Sequence, residues 1–171
     1  MDDQPQAKIS LRRFVMEDVE KVFAMSKEES LARFLPDQVY QTSAEAAKVL
    51  TYLISAYGET IDIDKGPFVL GIVHRRSSEL IGHIGVSKIP EGVEIGYSIE
   101  EKHQGYGYAS EAVFQMLNIL ETSTQIPEIY GVVDPDNFPS IVTLGKCGFA
   151  KVGSKAGKLV YKRSLDHPAA A

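Results

Sequence analysis

Gly105 and Gly107 lie in the stretch His103-Gln104-Gly105-Tyr106-Gly107-Tyr108-Ala109-Ser110, and their type and spacing suit an anion cradle. An alternating apolar run, Val93 to Ile99, leads into the stretch. Beyond it Ala112, Val113, Met116, Leu117 and Leu120 recur at helical steps. That is a strand pattern followed by a helix pattern, with the glycines in the turn between. Without a Cβ, both positions can adopt unusual φ and let a ligand approach the backbone. The first N–H groups of a helix have no partner within it and sit at the positive end of its dipole. A phosphate or pyrophosphate is the natural occupant.

The elements that must hold this turn can be read along the chain. Residues 1–7 are polar and are expected to be flexible, as is the tail 166–171, leaving a single domain over 8–165. Ile9, Leu11 and Arg13 alternate with polar residues and suggest a first strand. Glu17 and Asp18 suit the first turn of a helix whose buried stripe would be Val19, Val22, Phe23 and Ser26. Leu31 to Leu35 is a short segment ended by Pro36. Thr42-Ser43-Ala44-Glu45 has capping-box spacing and opens a second helix that stops near Gly58. Phe68–Arg75, Leu80–Ile89 and Gly92–Ile99 are strand-like runs with hairpin-sized connections, so an antiparallel meander is expected. A helix from about Ser110 to Glu121 follows the glycine turn. Then come a strand Glu128–Val133, a short helix from Pro139 to Lys146 and a closing hairpin, Phe149–Ser154 with Lys158–Arg163.

Composition bounds the function. The 171 residues suffice for about one domain that buries roughly 70% of its unfolded surface. A formal net charge of -5 argues against nucleic acid as the main partner. The single Cys147 cannot form an internal disulfide and suits a reducing compartment. No apolar run approaches membrane-spanning length, and the acidic start is unlike a signal peptide. A cytoplasmic protein with no membrane partner is expected, as monomer or homodimer.

The spelling Gln104-Gly105-Tyr106-Gly107-Tyr108-Ala109 is Q-x-x-G-x-A, which resembles the acetyl-CoA pyrophosphate loop of the GNAT N-acetyltransferase superfamily. The element order matches that superfamily. Asn137-Phe138-Pro139-Ser140 with Lys146-Cys147-Gly148-Phe149 resembles the N-x-x-S and K-x-G-F signature of the branch containing the ribosomal-protein N-terminal (serine/alanine) acetyltransferases. Leu11-Arg12-Arg13-Phe14 and Glu94-Ile95-Gly96-Tyr97 also look like that branch, so the resemblance runs from about Ile9 to Arg163.

The resemblance implies an α/β (α+β) fold with a mixed, mostly antiparallel central sheet and helices on both faces. It implies acetyl-CoA as co-substrate and no metal. The pyrophosphate would lie on Gln104, Gly105, Tyr106, Gly107, Tyr108 and Ala109. Pantetheine would lie against Tyr97, Ser98 and Ile99, where the fourth strand splays from the fifth, and against Asn137. A primary amine, on a protein N-terminus or a small molecule, would attack the thioester directly. Glu94 is the implied base, through water, and Ser140 the implied partner of the departing thiolate. Superfamily members that use a tyrosine there would have it at Leu144, so this chain departs from that pattern.

Plainer readings stand beside these. Glu94 could be a strand glutamate paired with an arginine, Ser140 a first-turn helix serine and Asn137 an Asx-turn residue. The four histidines lack metal-ligand spacing. His83 could line the cleft or be a structural strand residue, and Cys147 reads as a small core residue. Asp62 and Asp64 could draw in a cationic acceptor or form a solvated loop, and the acceptor loops are expected at 27–42 and 58–66. A dinucleotide oxidoreductase would need a third glycine and a β–α–β setting, against hairpin-linked strands here. A non-catalytic acyl-CoA-binding module on the same fold is the other alternative.

Overall fold

The computed structural model describes residues 6–169. Its centre is one seven-stranded sheet in the order β1-β2-β3-β4-β5-β7-β6. The strands are β1 (Ile9–Arg12), β2 (Phe68–His74), β3 (Glu79–Ile89), β4 (Gly92–Ile99), β5 (Glu128–Val133), β6 (Ala150–Lys155) and β7 (Lys158–Ser164). All neighbours are antiparallel except β4 and β5. The expected meander is present, with a register shift between Ile72 and Val73.

Alternation along the strands divides the sheet into two faces. Val93, Ile95 and Ile99 of β4 and Ile129 and Val133 of β5 are buried in the main core. There they meet α4 (Tyr108–Ser123) through Ala112, Val113, Met116, Leu117 and Leu120. Fully burying such aliphatic side chains is worth roughly 1.5–3 kcal/mol each. Leu144 of α5 (Phe138–Lys146) joins this core. Adding a Cβ to Gly131 of β5 would bring it to 2.9 Å from the Leu144 side chain, so that glycine lets α5 settle onto the strand. The other face carries a smaller cluster under α1 (Val19–Ser26) and α3 (Ser43–Ser55), with Phe14, Met25, Leu50, Val73 and Leu80 buried.

Local chemistry explains the element ends. Arg12 makes two hydrogen bonds to the Asp18 carboxylate, at 2.7 and 2.8 Å, and Asp18 accepts from the Val15 N–H, so β1 is clamped to the start of α1. A 3-10 turn, Met16–Asp18, precedes that helix. Thr42 Oγ1 caps α3 by accepting from the Glu45 N–H, while the Glu45 carboxylate reaches the Gln41 N–H, one residue before the position a full capping box uses.

Several expectations need correction. Residues 31–34 fall within a helix, α2 (Glu29–Phe34), whose C-cap is Leu35, just before Pro36. Helix α4 starts at Tyr108 rather than near Ser110, because Gly107, at φ 81° and ψ 10°, is its left-handed N-cap. The glycine turn does open a parallel β–α–β crossover, β4-α4-β5, which the hairpin-linked strands before it had seemed to exclude. Local pattern shows the hairpins, but the pairing of β4 with β5 is a tertiary choice. Asp166 and His167, expected in a flexible end, are tied down: the Asp166 N–H donates to Glu121, and the His167 ring bonds to the Glu121 and Ile126 carbonyls. Residues 1–5 and 170–171 lie outside the described residues.

Two glycines on paired strands make opposite predictions. A Cβ at Gly82 would overlap the Ser98 carbonyl oxygen of the adjacent strand, whereas one at Gly96 meets nothing within 4 Å. Gly82→Ala should cost about 3 kcal/mol of unfolding free energy by overpacking. Gly96→Ala should stay within about 0.5 kcal/mol of the parent. Urea denaturation of both variants is the check, and equal midpoints would contradict the close approach at Gly82.

Candidate active site

β4 and β5 share one registered pair, Glu94 with Tyr130. Each strand is paired along its other edge, β4 to β3 and β5 to β7. Past Glu94 a cavity of about 670 Å³ opens between the strands, walled by Tyr97, Ser98 and Ile99 on one side and Val132, Val133 and Asp134 on the other. The glycine turn and the start of α4 close one end, and the first turn of α5 lies along it. A second cavity of about 470 Å³ lies on the α1–α3 face. Leu31, Leu35, Glu94 and Gly96 belong to the walls of both, so they mark the junction.

The turn is held from within. Gln104 Nε2 donates to the Ile99 carbonyl at 2.8 Å, folding the chain back on the end of β4. Gly105 has φ 83°, and neither Gly105 nor Gly107 would find an atom within 4 Å of an added Cβ. Gly107 supplies no side-chain cap. The leading N–H groups of α4 therefore have no capping side chain, and the space before the turn is open. His103, Lys146 and Lys158 line the same cavity, with Lys158 paired to Asp134 at 3.0 Å. Pattern reading missed Lys146 and Lys158 because neither is near the turn in sequence.

Most residues singled out from the sequence are brought together. Glu94, Tyr97, Ser98, Ile99, Gln104, Gly105, Gly107, Tyr108, Ala109, Asn137 and Ser140 all line the larger cavity. Tyr106 does not. Its ring is 62% exposed and stacks on Tyr108 with centroids 5.7 Å apart. Asn137 accepts from the Ser140 N–H and is the N-cap of α5, while Asp134 forms the Asx turn through the Asp136 N–H. Leu144, at the position where a tyrosine was expected in related chains, is buried in the core.

One contact had no sequence signal. The Tyr97 hydroxyl lies 2.9 Å from Ser140 Oγ, linking residues 43 apart. Burial pushes the Tyr97 phenol up to about 12, against the opposing effect of the Ser140 hydrogen bond, so it stays protonated at neutral pH. Burial also raises the Glu94 carboxyl above its ordinary value, partly offset by the backbone N–H of Val132. Cys147 is fully buried and its thiol is raised for the same reason.

Of the two segments expected as acceptor loops, only 27–42 lines the smaller cavity. Leu31, Leu35, Asp37, Gln38 and Tyr40 line the smaller cavity, but no residue of 58–66 does. Asp62 and Asp64 are instead paired with Lys65 and Lys88. His83 lines the cavity, opposite Ser98 in the β3–β4 register. Among the described residues no group of three or more His, Cys, Asp or Glu side chains could hold a metal ion. No described helix is long and apolar enough to cross a membrane.

Comparison with known proteins agrees with this architecture. Residues 8–150 match the family model described as the acetyltransferase (GNAT) domain. An uncharacterized N-acetyltransferase, p20, of Bacillus licheniformis is 24% identical over 149 residues, covering 85% of this chain and 81% of that one. The uncharacterized N-acetyltransferase YoaA of Bacillus subtilis is 28% identical with the same coverage. A ribosomal L7/L12 α-N-protein acetyltransferase, RimL, solved with coenzyme A, superposes with a TM-score of 0.79 at 17% identity, over 95% of this chain and 97% of that one. At that identity the likeness concerns the fold.

The His83 ring gives a stability test. Burial lowers its pKa from 6.5 to about 4. Between those values the unfolded chain binds the proton and the folded chain does not, so stability falls as pH drops through that window. His83→Asn should lose this component: urea midpoints of parent and variant should differ by a changing amount between pH 7 and 4. A constant difference would refute the neutral, half-buried imidazole.

Proposed function

This chain belongs to the GNAT acetyltransferase family and is an acetyl-CoA-dependent N-acetyltransferase; from that premise we propose that residues 8–165 form one catalytic domain whose acceptor is a primary amine, on a protein N-terminus or a small molecule, that attacks the thioester directly. The observation that carries this reading is the junction at Glu94. A carboxyl with a raised pKa stands between a cavity ended by a glycine-capped helix N-terminus and a second cavity on the opposite face.

The residues present suit the co-substrate. A pyrophosphate would take the leading N–H groups of α4 across Gly105, Gly107, Tyr108 and Ala109, with Lys146 and Lys158 as nearby cations. Pantetheine would run along Tyr97, Ser98 and Ile99, beside Asn137, where β4 has left β5. Gln104 serves by shaping the turn through Ile99. Acetyl-CoA supplies an activated acyl carbon. Transfer forms a C–N bond and breaks a C–S bond, so nitrogen must lose a proton and sulfur must gain one.

Glu94 takes the proton from nitrogen, directly or through one water. Ser140 Oγ, held by the Tyr97 hydroxyl, donates a hydrogen bond to the departing thiolate, in the place of the tyrosine that Leu144 replaces, and the thiolate then takes its proton from solvent. The need for the base depends on the amine. With reference values near 7.7 for an α-amine and 10.4 for a lysine-like amine, roughly a sixth of the first and well under 0.1% of the second is neutral at pH 7.

The test is thiol release from acetyl-CoA in the presence of amines; binding of acetyl-CoA without release for any acceptor would favour a non-catalytic module. Glu94→Gln should lower kcat/KM by about 10²–10⁴-fold at neutral pH. Since the carboxylate is the active form, the parent's rate should fall as pH drops through the raised Glu94 pKa, and this acidic limb should be missing in the variant. A variant that keeps the limb and loses less than about threefold, well short of a base's effect, would exclude Glu94 as base. Ser140→Ala should lower kcat more than it raises KM for acetyl-CoA, because a contact made with the leaving sulfur matters in the transition state. Equal kcat values would reduce Ser140 to its place in α5.

A further inference from the structure

From the smaller cavity we infer the class of acceptor: a small amine with a single positive centre on an apolar body, rather than an amino acid, a polyamine or a protein N-terminus. The inference rests on the reading of Glu94 and the junction as the place of acetyl transfer.

The cavity owes its existence to the sheet face beneath it. Val69, Gly85 and Gly96 are registered neighbours on β2, β3 and β4, so two of the three positions at its floor carry no side chain. Phe14, Met25, Leu31, Leu50 and Leu53 supply its walls from α1, α2, α3 and the chain after β1. Its volume of about 470 Å³ is that of a small-ligand pocket.

Charge and hydrogen-bonding capacity then select the occupant. Among the described residues no lysine or arginine lines this cavity, so the carboxylate of an amino acid or a phosphate would be buried without a counter-charge. Its acidic groups are Glu94 at the inner junction and Asp37. One ammonium can reach Glu94 and a second could at most reach Asp37, but the remaining ammonium of a polyamine such as spermidine would meet aliphatic walls. A peptide brings an N–H and a C=O with every residue, each needing a partner once buried. The wall has few to give. Ser26 Oγ is already engaged with the Phe23 carbonyl, which leaves chiefly His83, Ser87, Gln38 and Tyr40. The His83 ring lines this cavity, opposite Ser98 in the strand register, and desolvation keeps it neutral at pH 7. It can meet one polar group of a ligand without adding a second positive charge.

The experiment compares acceptors at saturating acetyl-CoA by thiol release. The panel is n-propylamine to n-hexylamine, 2-phenylethylamine, spermidine, free lysine and hexapeptides starting with serine or alanine. Each added methylene should raise kcat/KM by about fourfold until the cavity is full, the fold-change expected for burying one CH₂. The phenyl-bearing amine should exceed spermidine, lysine and the peptides by about tenfold or more, from burial of its ring. Val49 also lines the cavity, and Val49→Phe should move the optimum to a shorter chain while leaving KM for acetyl-CoA as in the parent. Titration calorimetry of the same amines into the protein with bound coenzyme A reads the pocket without chemistry. Chain-length-dependent binding there, even without thiol release, would support the acceptor class while overturning catalysis. A flat alkyl series, no binding of the apolar amines, or faster turnover of a peptide or polyamine would overturn the acceptor class and leave acetyl transfer standing.

Discussion

The parting of β4 from β5 is the constraint on which the rest of the molecule depends. A sheet edge normally keeps its N–H and C=O groups paired, because leaving them unpaired and buried costs free energy. Here each strand is fully engaged on its far side, β4 with β3 and β5 with β7, and the two halves meet at a single registered pair. The halves are held together by side chains instead. α4 lays Val113, Met116 and Leu117 across the core that both halves share. α5 sits on β5 through Leu144 and reaches β4 through the Ser140–Tyr97 contact. The open seam leaves backbone groups for a ligand to complete, and the packing on either side keeps it open.

The same seam fixes where a helix can begin. β4 ends at Ile99, Gln104 turns the chain back onto that residue's carbonyl, and Gly107 in the left-handed region starts α4 without a side-chain cap. A serine or aspartate at that N-cap would satisfy one helix N–H from within the chain. With glycine there, those groups remain available at the end of the seam. Of the two helices that line this seam, α4 thus starts without a side-chain cap, whereas α5 is capped by Asn137.

Much of this was legible in the sequence. The meander, the glycine turn and the closing hairpin follow from two-residue alternation and turn residues, which act over a few positions. The stripe of α4 was read residue by residue. What escaped was set by distant partners. Helix α2 is one and a half turns beside a proline, too short for periodicity to show. The parallel pairing of β4 with β5 depends on α4 crossing back over the sheet. Tyr106 sits at an unspecified position of the motif and turns its ring outward, since the stretch fixes the backbone and not the direction of that side chain. The acidic loop around Asp62 and Asp64 is neutralised by Lys65 and Lys88, one of them far along the chain. Lys146 and Lys158 enter the cavity from α5 and β7, and no spacing rule joins them to the turn.

The apolar character of the smaller cavity also bears on the proton that an amine must lose. In water, moving a proton from a lysine-like ammonium to a glutamate is uphill by about six pKa units, or about 8 kcal/mol. Burial raises a carboxyl and lowers an ammonium, so both reference values move toward each other. Glu94 is already raised by desolvation before any ligand arrives. An ammonium drawn into a cavity of leucines, with His83 kept neutral, would be lowered by the same physics. The transfer turns two buried charges into two neutral groups, and a medium that solvates charge poorly favours that direction. An acceptor with an apolar body strengthens the effect, because it displaces water from the Glu94 junction as it binds. Apolar walls around Glu94 would thus help produce the neutral nucleophile as well as select the acceptor.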